Sequence, residues 1–363
     1  MCVAGASLRG LLADFQDRFS VVGAGAAVIT RDNELLLDVV GHRQDGSLDS
    51  VTVDDQWHIG SCGKSFTAAL YARLVERGAA AWGVPIAELF RDLGTGLDPG
   101  WKAATVDELL VCRSGIRANL SPVEMRAASK DESPLVEQRS RAAVSALSRP
   151  PRGRGTFRYS NLGYVVVGAA IDRIAGMPFE AALRTYLLEP LNITAAGFGP
   201  PPVIRGHRPR VRFGNLCIGR GLPMDPQDVD SDNPAVMTPA GRLHLTLADW
   251  AKFQRLFLLD GGDLLQRSSI QRLLAVPAGK GSGMAMGWAP VHGLEGASFG
   301  MQGSNTFWIA TAIIDAEFER TAMVVVNDGR TSLFYRTAQL AARILRMTSL
   351  WNPPLRERPE DLH

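Results

Sequence analysis

Apolar residues near the start of the chain fall at Leu8, Leu11, Leu12, Phe15 and Phe19, a helical spacing over Ser7 to Phe19. Two mostly apolar runs follow, VVGAGAAVIT (21–30) and ELLLDVVG (34–41), joined by Arg31-Asp32-Asn33. They predict two strands and a tight turn. Strand-like runs return near the far end, at 285–291, 297–302, 305–314 and 320–328. A helix is then predicted at about 331–347 from Leu333, Ala338, Leu340, Ala341, Ile344 and Leu345. Between the two ends, residues 61–78, 105–112, 135–148, 160–176 and 179–188 read as helices. Segments rich in Pro, Gly and Arg separate them, notably 150–155 and 199–210. The simplest assembly is α+β: one antiparallel sheet built from both chain ends and flanked by the terminal helices, with a mostly helical domain inserted. The expected boundaries are 1–75 and 240–363 for the sheet domain and 76–239 for the insertion. A site would lie in the cleft between them.

Composition narrows the class. The 363 residues are 46% hydrophobic and 21% charged, enough to bury a sizeable core and too apolar for wholesale disorder. A net charge of +2 gives no reason to expect nucleic acid or an anionic membrane surface as partner. No apolar run approaches the ~20 residues of a membrane span, and the first residues lack the basic start and apolar core of a signal peptide. Cys2, Cys62, Cys112 and Cys217 are far apart and form no C-x-x-C, which fits a reducing compartment. The expectation is a cytoplasmic protein. The six histidines show no H-x-x-x-H or H-E-x-x-H spacing. The acidic run DPQDVDSDN (225–233) lacks the glycine and the terminal glutamate of a calcium loop and reads as a solvated loop. No metal or cofactor is expected.

Only five of the 39 basic residues are Lys, at 64, 102, 130, 252 and 280. Codon bias accounts for the bulk of that imbalance. It also gives a retained Lys more weight beside a nucleophile, because Lys can lose its proton and Arg cannot. Lys64 sits in Trp57-His58-Ile59-Gly60-Ser61-Cys62-Gly63-Lys64-Ser65-Phe66-Thr67, where a helix is predicted to begin at Ser61. Ser61 and Lys64 are i and i+3, neighbours on one face of its first turn. Burial and the positive end of a helix both disfavour an ammonium ion. A neutral amine there takes the proton of Ser61 as the hydroxyl attacks a carbonyl. The Ser61 amide, without an intrahelical partner, points to an oxyanion site. A serine N-cap with an unrelated lysine gives the same tetrad. A P-loop reading of the segment fails because His58 stands where the first glycine is required. A nucleophile elbow fails because Ile59 holds its first glycine position.

Further along, Tyr159-Ser160-Asn161 lies at a loop-to-helix junction. A phenol there can shuttle a proton to a leaving group, and an amide can hold a substrate carbonyl and an ammonium. A core aromatic followed by a helix cap is the alternative. Together the two motifs resemble the serine β-lactamase and penicillin-binding-protein superfamily, in its class C-like branch. That branch takes in class C β-lactamases, D,D-carboxypeptidases, family VIII esterases and related acyltransferases. The resemblance runs from about residue 10 to 347. It includes Thr105-Val-Asp-Glu-Leu-Leu-Val-Cys-Arg-Ser114-Gly115, with Cys112 where the family has His, and Pro239-Ala-Gly-Arg-Leu-His-Leu-Thr-Leu-Ala-Asp249, with Arg242 for a Gly.

The resemblance implies Ser61 as nucleophile, Lys64 as base, Tyr159 as proton relay and Asn161 as orienting amide. It places the family's third motif on Met301-Gln302-Gly303. Gly303 is kept and the basic residue is replaced by Met301. Gln302 is a candidate polar contact there, depending on strand register. The Ser304 amide is expected to complete the oxyanion hole with that of Ser61. Loss of the cation argues against free carboxylates as the recognised group and towards an uncharged ester or amide in secondary metabolism. The function read from the chain is a serine hydrolase or acyltransferase on a small-molecule ester or amide. The alternative is a non-catalytic ligand-binding protein on the same fold.

Overall fold

The computed structural model describes residues 7–213, 216–278 and 283–347. The chain opens with α1 (Leu8–Phe19), capped by the Ser7 side chain, which accepts the Gly10 amide. It turns into the hairpin β1 (Gly23–Thr30) and β2 (Leu35–Gly41). A short strand β3 (Trp57–His58) and a 3-10 turn over Gly60–Cys62 lead into α2 (Gly63–Glu76). The helical stretch follows: α3 (Ile86–Leu89), α4 (Val106–Leu110), α5 (Pro122–Ala128), α6 (Leu135–Leu147), α7 (Asn161–Ala175) and α8 (Phe179–Leu183). Next come β4 (Ala196–Phe198), the hairpin β5 (His207–Phe213) and β6 (Leu216–Pro223), α9 (Thr238–Gly241), β7 (Leu243–Leu245), α10 (Leu247–Leu258) and α11 (Arg267–Leu273). The chain then returns to the sheet with β8 (Ala289–Pro290), β9 (Ala297–Ser304), β10 (Ile309–Asp315) and β11 (Arg320–Val326), and ends in α12 (Ser332–Leu345).

The main sheet is six-stranded and antiparallel, in the order β2-β1-β11-β10-β9-β8, so strands from both chain ends interleave as expected. Both faces are covered. Ala24, Ala26 and Val28 of β1 face α1 and α12, against Leu12, Phe15, Leu340 and Ile344. Ala27 and Ile29, on alternate positions, join the larger core formed with α2 and α10. This two-sided burial explains why the strands read as near-continuous apolar runs. The helical stretch is held at its centre by the fully buried Arg139. Its Nε and Nη2 grip Asp172 of α7 at 2.7 and 2.9 Å, and Nη1 reaches Glu180 of α8 at 2.8 Å. Among the described residues no single helix is long and apolar enough to cross a membrane.

Four expectations change. The Pro- and Arg-rich segment 199–210 is not all loop, because His207–Phe213 pairs with β6 in a two-stranded hairpin that tolerates Pro209 at a register shift. Residues 285–291 contribute only Ala289–Pro290 as strand. Ala285 donates to the Trp288 carbonyl across Gly287, whose φ of +82° makes a turn. The run 305–314 becomes strand only at Ile309, since Thr306 lies in the left-handed region and donates to Ser304 Oγ. The acidic segment 225–233 is not wholly solvated, because Ser231 is buried and Asp232 is enclosed by side-chain partners.

Candidate active site

Ser61 is the middle residue of the 3-10 turn, and Lys64 is the second residue of α2. The turn begins at Gly60 with φ +51°, a conformation that suits glycine. Lys64 is fully buried, and its Nζ lies 3.1 Å from Ser61 Oγ and 2.7 Å from Asn161 Oδ1. It also donates to the Ala240 carbonyl at 2.5 Å. Two of these three partners, a carbonyl and an amide oxygen, only accept; the serine hydroxyl can accept or donate. With two N–H bonds spent on Asn161 and Ala240, the remaining position of a neutral amine is a lone pair facing the Ser61 hydroxyl. The geometry of Lys64 therefore suits proton removal as well as ammonium binding.

Asn161 is placed by its helix. Ser160 caps α7 by accepting the Gly163 amide and anchors to the Arg117 carbonyl, which sets Asn161 at the first helical position. Because Asn161 Oδ1 faces Lys64, its Nδ2 donates elsewhere, to Asn119 Oδ1 at 2.7 Å. Two aromatic rings flank the amine, Tyr159 with its centroid 4.9 Å away and Tyr164 at 5.4 Å. Their roles differ. Tyr164 is buried, burial pushes its phenol well up, and it donates to the Leu110 carbonyl. Tyr159 is 40% exposed and lines a cleft of about 660 Å³ together with Trp288 and Met301. Cys62, next to the nucleophile, is buried, and burial pushes its thiol far above the usual range. It stays protonated and does not compete with Ser61.

Glycines let three backbones meet around Ser61. A Cβ on Gly303 would lie 2.0 Å from the Ile59 carbonyl oxygen and 2.6 Å from the Ser61 nitrogen. One on Gly60 would lie 2.3 Å from the Ser304 nitrogen, and one on Gly241 would lie 2.7 Å from the Gly60 carbonyl. The amides of Ser61 and Ser304 are thereby brought to the two sides of a single backbone contact. Behind it lies a buried polar cluster. His58 Nδ1 accepts the Gly60 amide, so its Nε2 carries the proton that binds Asp232 Oδ2 at 3.0 Å. Asp232 also accepts from Asn305 Nδ2 at 2.9 Å and faces Arg242 Nε at 3.3 Å. Burial works against its charge, but His58, Arg242 and Asn305 outweigh burial and hold its carboxyl below the usual range. Asp232 thus ties the nucleophile turn, through His58, to the end of β9, through Asn305.

A family match decides what kind of site this is: the β-lactamase family matches residues 8–345. The chain belongs to the β-lactamase family. It is a serine hydrolase of that family. A penicillin-binding protein 4 from Amycolatopsis lactamdurans is 24% identical over 96% of this chain and 95% of its own length. An unguisins hydrolase from Aspergillus violaceofuscus is 26% identical over 53% of this chain and 35% of its own. The solved D-amino acid amidase from Ochrobactrum anthropi SV3 shares the fold, with a TM-score of 0.75 at 22% identity, covering 94% of this chain and 98% of that one.

The structure brings Ser61, Lys64, Tyr159, Asn161, Gly303 and Ser304 close together. Gln302 does not join them. Strand alternation turns it to the opposite face of β9, where Nε2 donates to Thr311 Oγ1 and to the Phe334 carbonyl under α12. Met301 shares the Gly303 face and is buried in the cleft wall. Sequence reasoning missed Asn119, Ala240, His58 and Asp232. The Pro239-Ala-Gly segment held a clue, since it supplies the Ala240 carbonyl for Lys64 and the close approach at Gly241. Arg242, which departs from the family pattern, is the partner of Asp232. Among the described residues no group of three His, Cys, Asp or Glu side chains converges to hold a metal.

Proposed function

We propose that the protein cleaves an ester or amide through an acyl-enzyme on Ser61. The observation that carries this reading is the Lys64 amine, fixed by Asn161 and Ala240 with its third position towards Ser61 Oγ at 3.1 Å. Ser61 Oγ attacks the carbonyl carbon while its proton passes to Lys64. The oxyanion forms beside the amides of Ser61 and Ser304, whose nitrogens the backbone contact at Gly60 and Gly303 brings close together. As the tetrahedral species collapses, the Tyr159 hydroxyl delivers a proton to the leaving oxygen or nitrogen and is reprotonated from Lys64. Water then attacks the acyl carbonyl and regenerates Ser61; an alcohol or amine in its place makes the reaction an acyl transfer.

The names of two relatives, an amidase and a hydrolase, support cleavage of a small amide or ester. The substrate is read as a small molecule of secondary metabolism met in the cytoplasm rather than cell-wall peptide. The test is covalent labelling with a fluorophosphonate probe. Wild type is expected to label and Ser61→Ala to stay unlabelled; persistent labelling of that variant would remove the assignment.

A further inference from the structure

A second cavity, of about 230 Å³, lies between α5 and α6 and shares no lining residue with the Tyr159 cleft. Leu120, Ala127 and Ala128 line it from the α5 side, Ala142 from α6, and Val236 from the segment before α9. Two polar struts hold the helices together around it. At one end Glu124 of α5 accepts from Arg117 Nη2 and from Ser145 Oγ of α6, both at 2.6 Å. At the other Asp131 accepts from Ser133 Oγ and from Arg141 Nη2 of α6. Gln138 of α6 donates both Nε2 hydrogens, to the Asp131 and Ser133 carbonyls, each at 2.8 Å. Its Oε1 has no partner and almost no exposed surface, so it offers an incoming molecule nothing. The carboxylates of the rim are matched within the chain, and Arg117 holds the Glu124 carboxyl well below the usual carboxylate range. The wall between the struts is largely hydrocarbon. α5 itself buries none of its seven residues completely.

We propose that this cavity is a second ligand site, and that it takes an uncharged apolar group of roughly eight to ten carbons, the size of a bicyclic ring. An apolar cavity of about 150 Å³ takes up benzene, which sets the scale for 230 Å³. A charged group is disfavoured, because it would leave water with every rim charge already paired. An apolar one leaves water and restores contacts that short side chains such as Ala128 and Ala142 leave unmade. The cavity is walled by the two segments that fix Lys64. Leu120 follows Asn119, whose Oδ1 holds the Asn161 side chain, and the Ala118 carbonyl accepts the Asn161 backbone N–H. Val236 lies four residues before Ala240, whose carbonyl accepts from Lys64. The apolar group has two sources, a free small molecule and a tail of the substrate. The tail rests on the Ser61 acyl-enzyme reading; the site itself does not.

The test is calorimetric binding of indole, and of indole-3-carboxylate as its charged counterpart, to the full chain as wild type, Ala142→Leu and Ala128→Leu. Wild type should bind one indole and bind the carboxylate at least about tenfold more weakly. Leucine at either position fills the space, so indole affinity should fall at least about tenfold. Should Ala142→Leu not fold, Ala128→Leu, on the less buried helix, carries the test. No binding of indole to wild type, or equal binding to wild type and a folded leucine variant, overturns the proposal. So does indole binding that survives in the leucine variants and is lost on fluorophosphonate labelling, which would put it in the Tyr159 cleft. A second arm separates the sources through the kcat/KM ratio of 4-nitrophenyl octanoate over acetate. A ratio at least about fivefold lower in Ala142→Leu than in wild type assigns the site to a substrate tail. An unchanged ratio, with indole affinity lost, assigns it to a free molecule. If neither ester is turned over while indole binding depends on Ala142, the acyl-enzyme reading fails and the site stands.

Discussion

Gly303→Ala probes the contact on which the oxyanion geometry depends. The added Cβ would lie 2.0 Å from the Ile59 carbonyl oxygen, 2.6 Å from the Ser61 nitrogen and 2.8 Å from the Cys62 nitrogen. Ordinary contact begins at about 3.4 Å, so the shortfall is about 1.4 Å, and all three atoms are backbone with no side chain to swing aside. Either β9 or the nucleophile turn must move by about an ångström. A displacement of that size in a positioned site costs about 100-fold in rate, or about 2.7 kcal/mol of transition-state stabilisation. Overpacking also destabilises the fold by roughly 1–3 kcal/mol. Gly63→Ala is the matched control two residues from Ser61. Its Cβ would meet Gly241 Cα at 3.5 Å and Leu243 Cβ at 3.7 Å, ordinary contacts, in a helical residue. The assay is the second-order rate of fluorophosphonate labelling, with a thermal melt of each variant. Gly303→Ala should label about 100-fold more slowly and Gly63→Ala within about threefold of wild type. Equal labelling of Gly303→Ala and wild type, with unshifted melts, would refute the three-backbone contact as the device that positions the oxyanion amides.

Asn119→Ala removes the acceptor that fixes the Asn161 amide at an exposed position; labelling should slow about 5- to 10-fold with little change in melting. Asp232→Asn leaves Arg242 without its buried counter-charge and weakens the tie to His58; we expect a loss of about 3 kcal/mol by urea unfolding together with slower labelling. Burial holds the His244 imidazole down to about 4, against an ordinary value of 6.5, although its Nδ1 donates to the Gly199 carbonyl. The unfolded chain takes up a proton there below pH 6.5 that the folded chain refuses. Its contribution to stability is therefore full above pH 6.5 and is lost as pH falls towards 4, by about 2 kcal/mol at pH 5 and about 3 kcal/mol in all. Urea unfolding at pH 7 and pH 5 should show that drop, and His244→Gln should lessen it; an equal drop in the variant would contradict the assignment.

The Ser61–Lys64 pair was legible because helical spacing alone makes i and i+3 neighbours, and Asn161 because Tyr159-Ser160-Asn161 stands at a loop-to-helix junction. The paired terminal strands were legible because two-sided burial writes long apolar runs. Other features depend on partners far away in the chain. Asp232 reads as one acid in a polar run until His58 and Arg242 close on it. Arg113 is one Arg among many until its burial is known. The face taken by Gln302 is a matter of register, which a one-residue slip would reverse. Strands as short as β3, β4 and β7 carry no periodicity of their own; each exists because β7 lies between the other two.

The central claim is that Ser61, with Lys64 as its base, carries the acyl group. Wild type, Ser61→Ala and Lys64→Met are mixed with an activated 4-nitrophenyl ester, quenched in acid within the first turnover, and weighed intact by mass spectrometry. One acyl group should add to wild type and map by peptide fragmentation to Ser61, with no adduct on Ser61→Ala and far slower acylation of Lys64→Met. Acylation of Ser61→Ala equal to that of wild type, or ester turnover with no adduct at Ser61, would contradict the account.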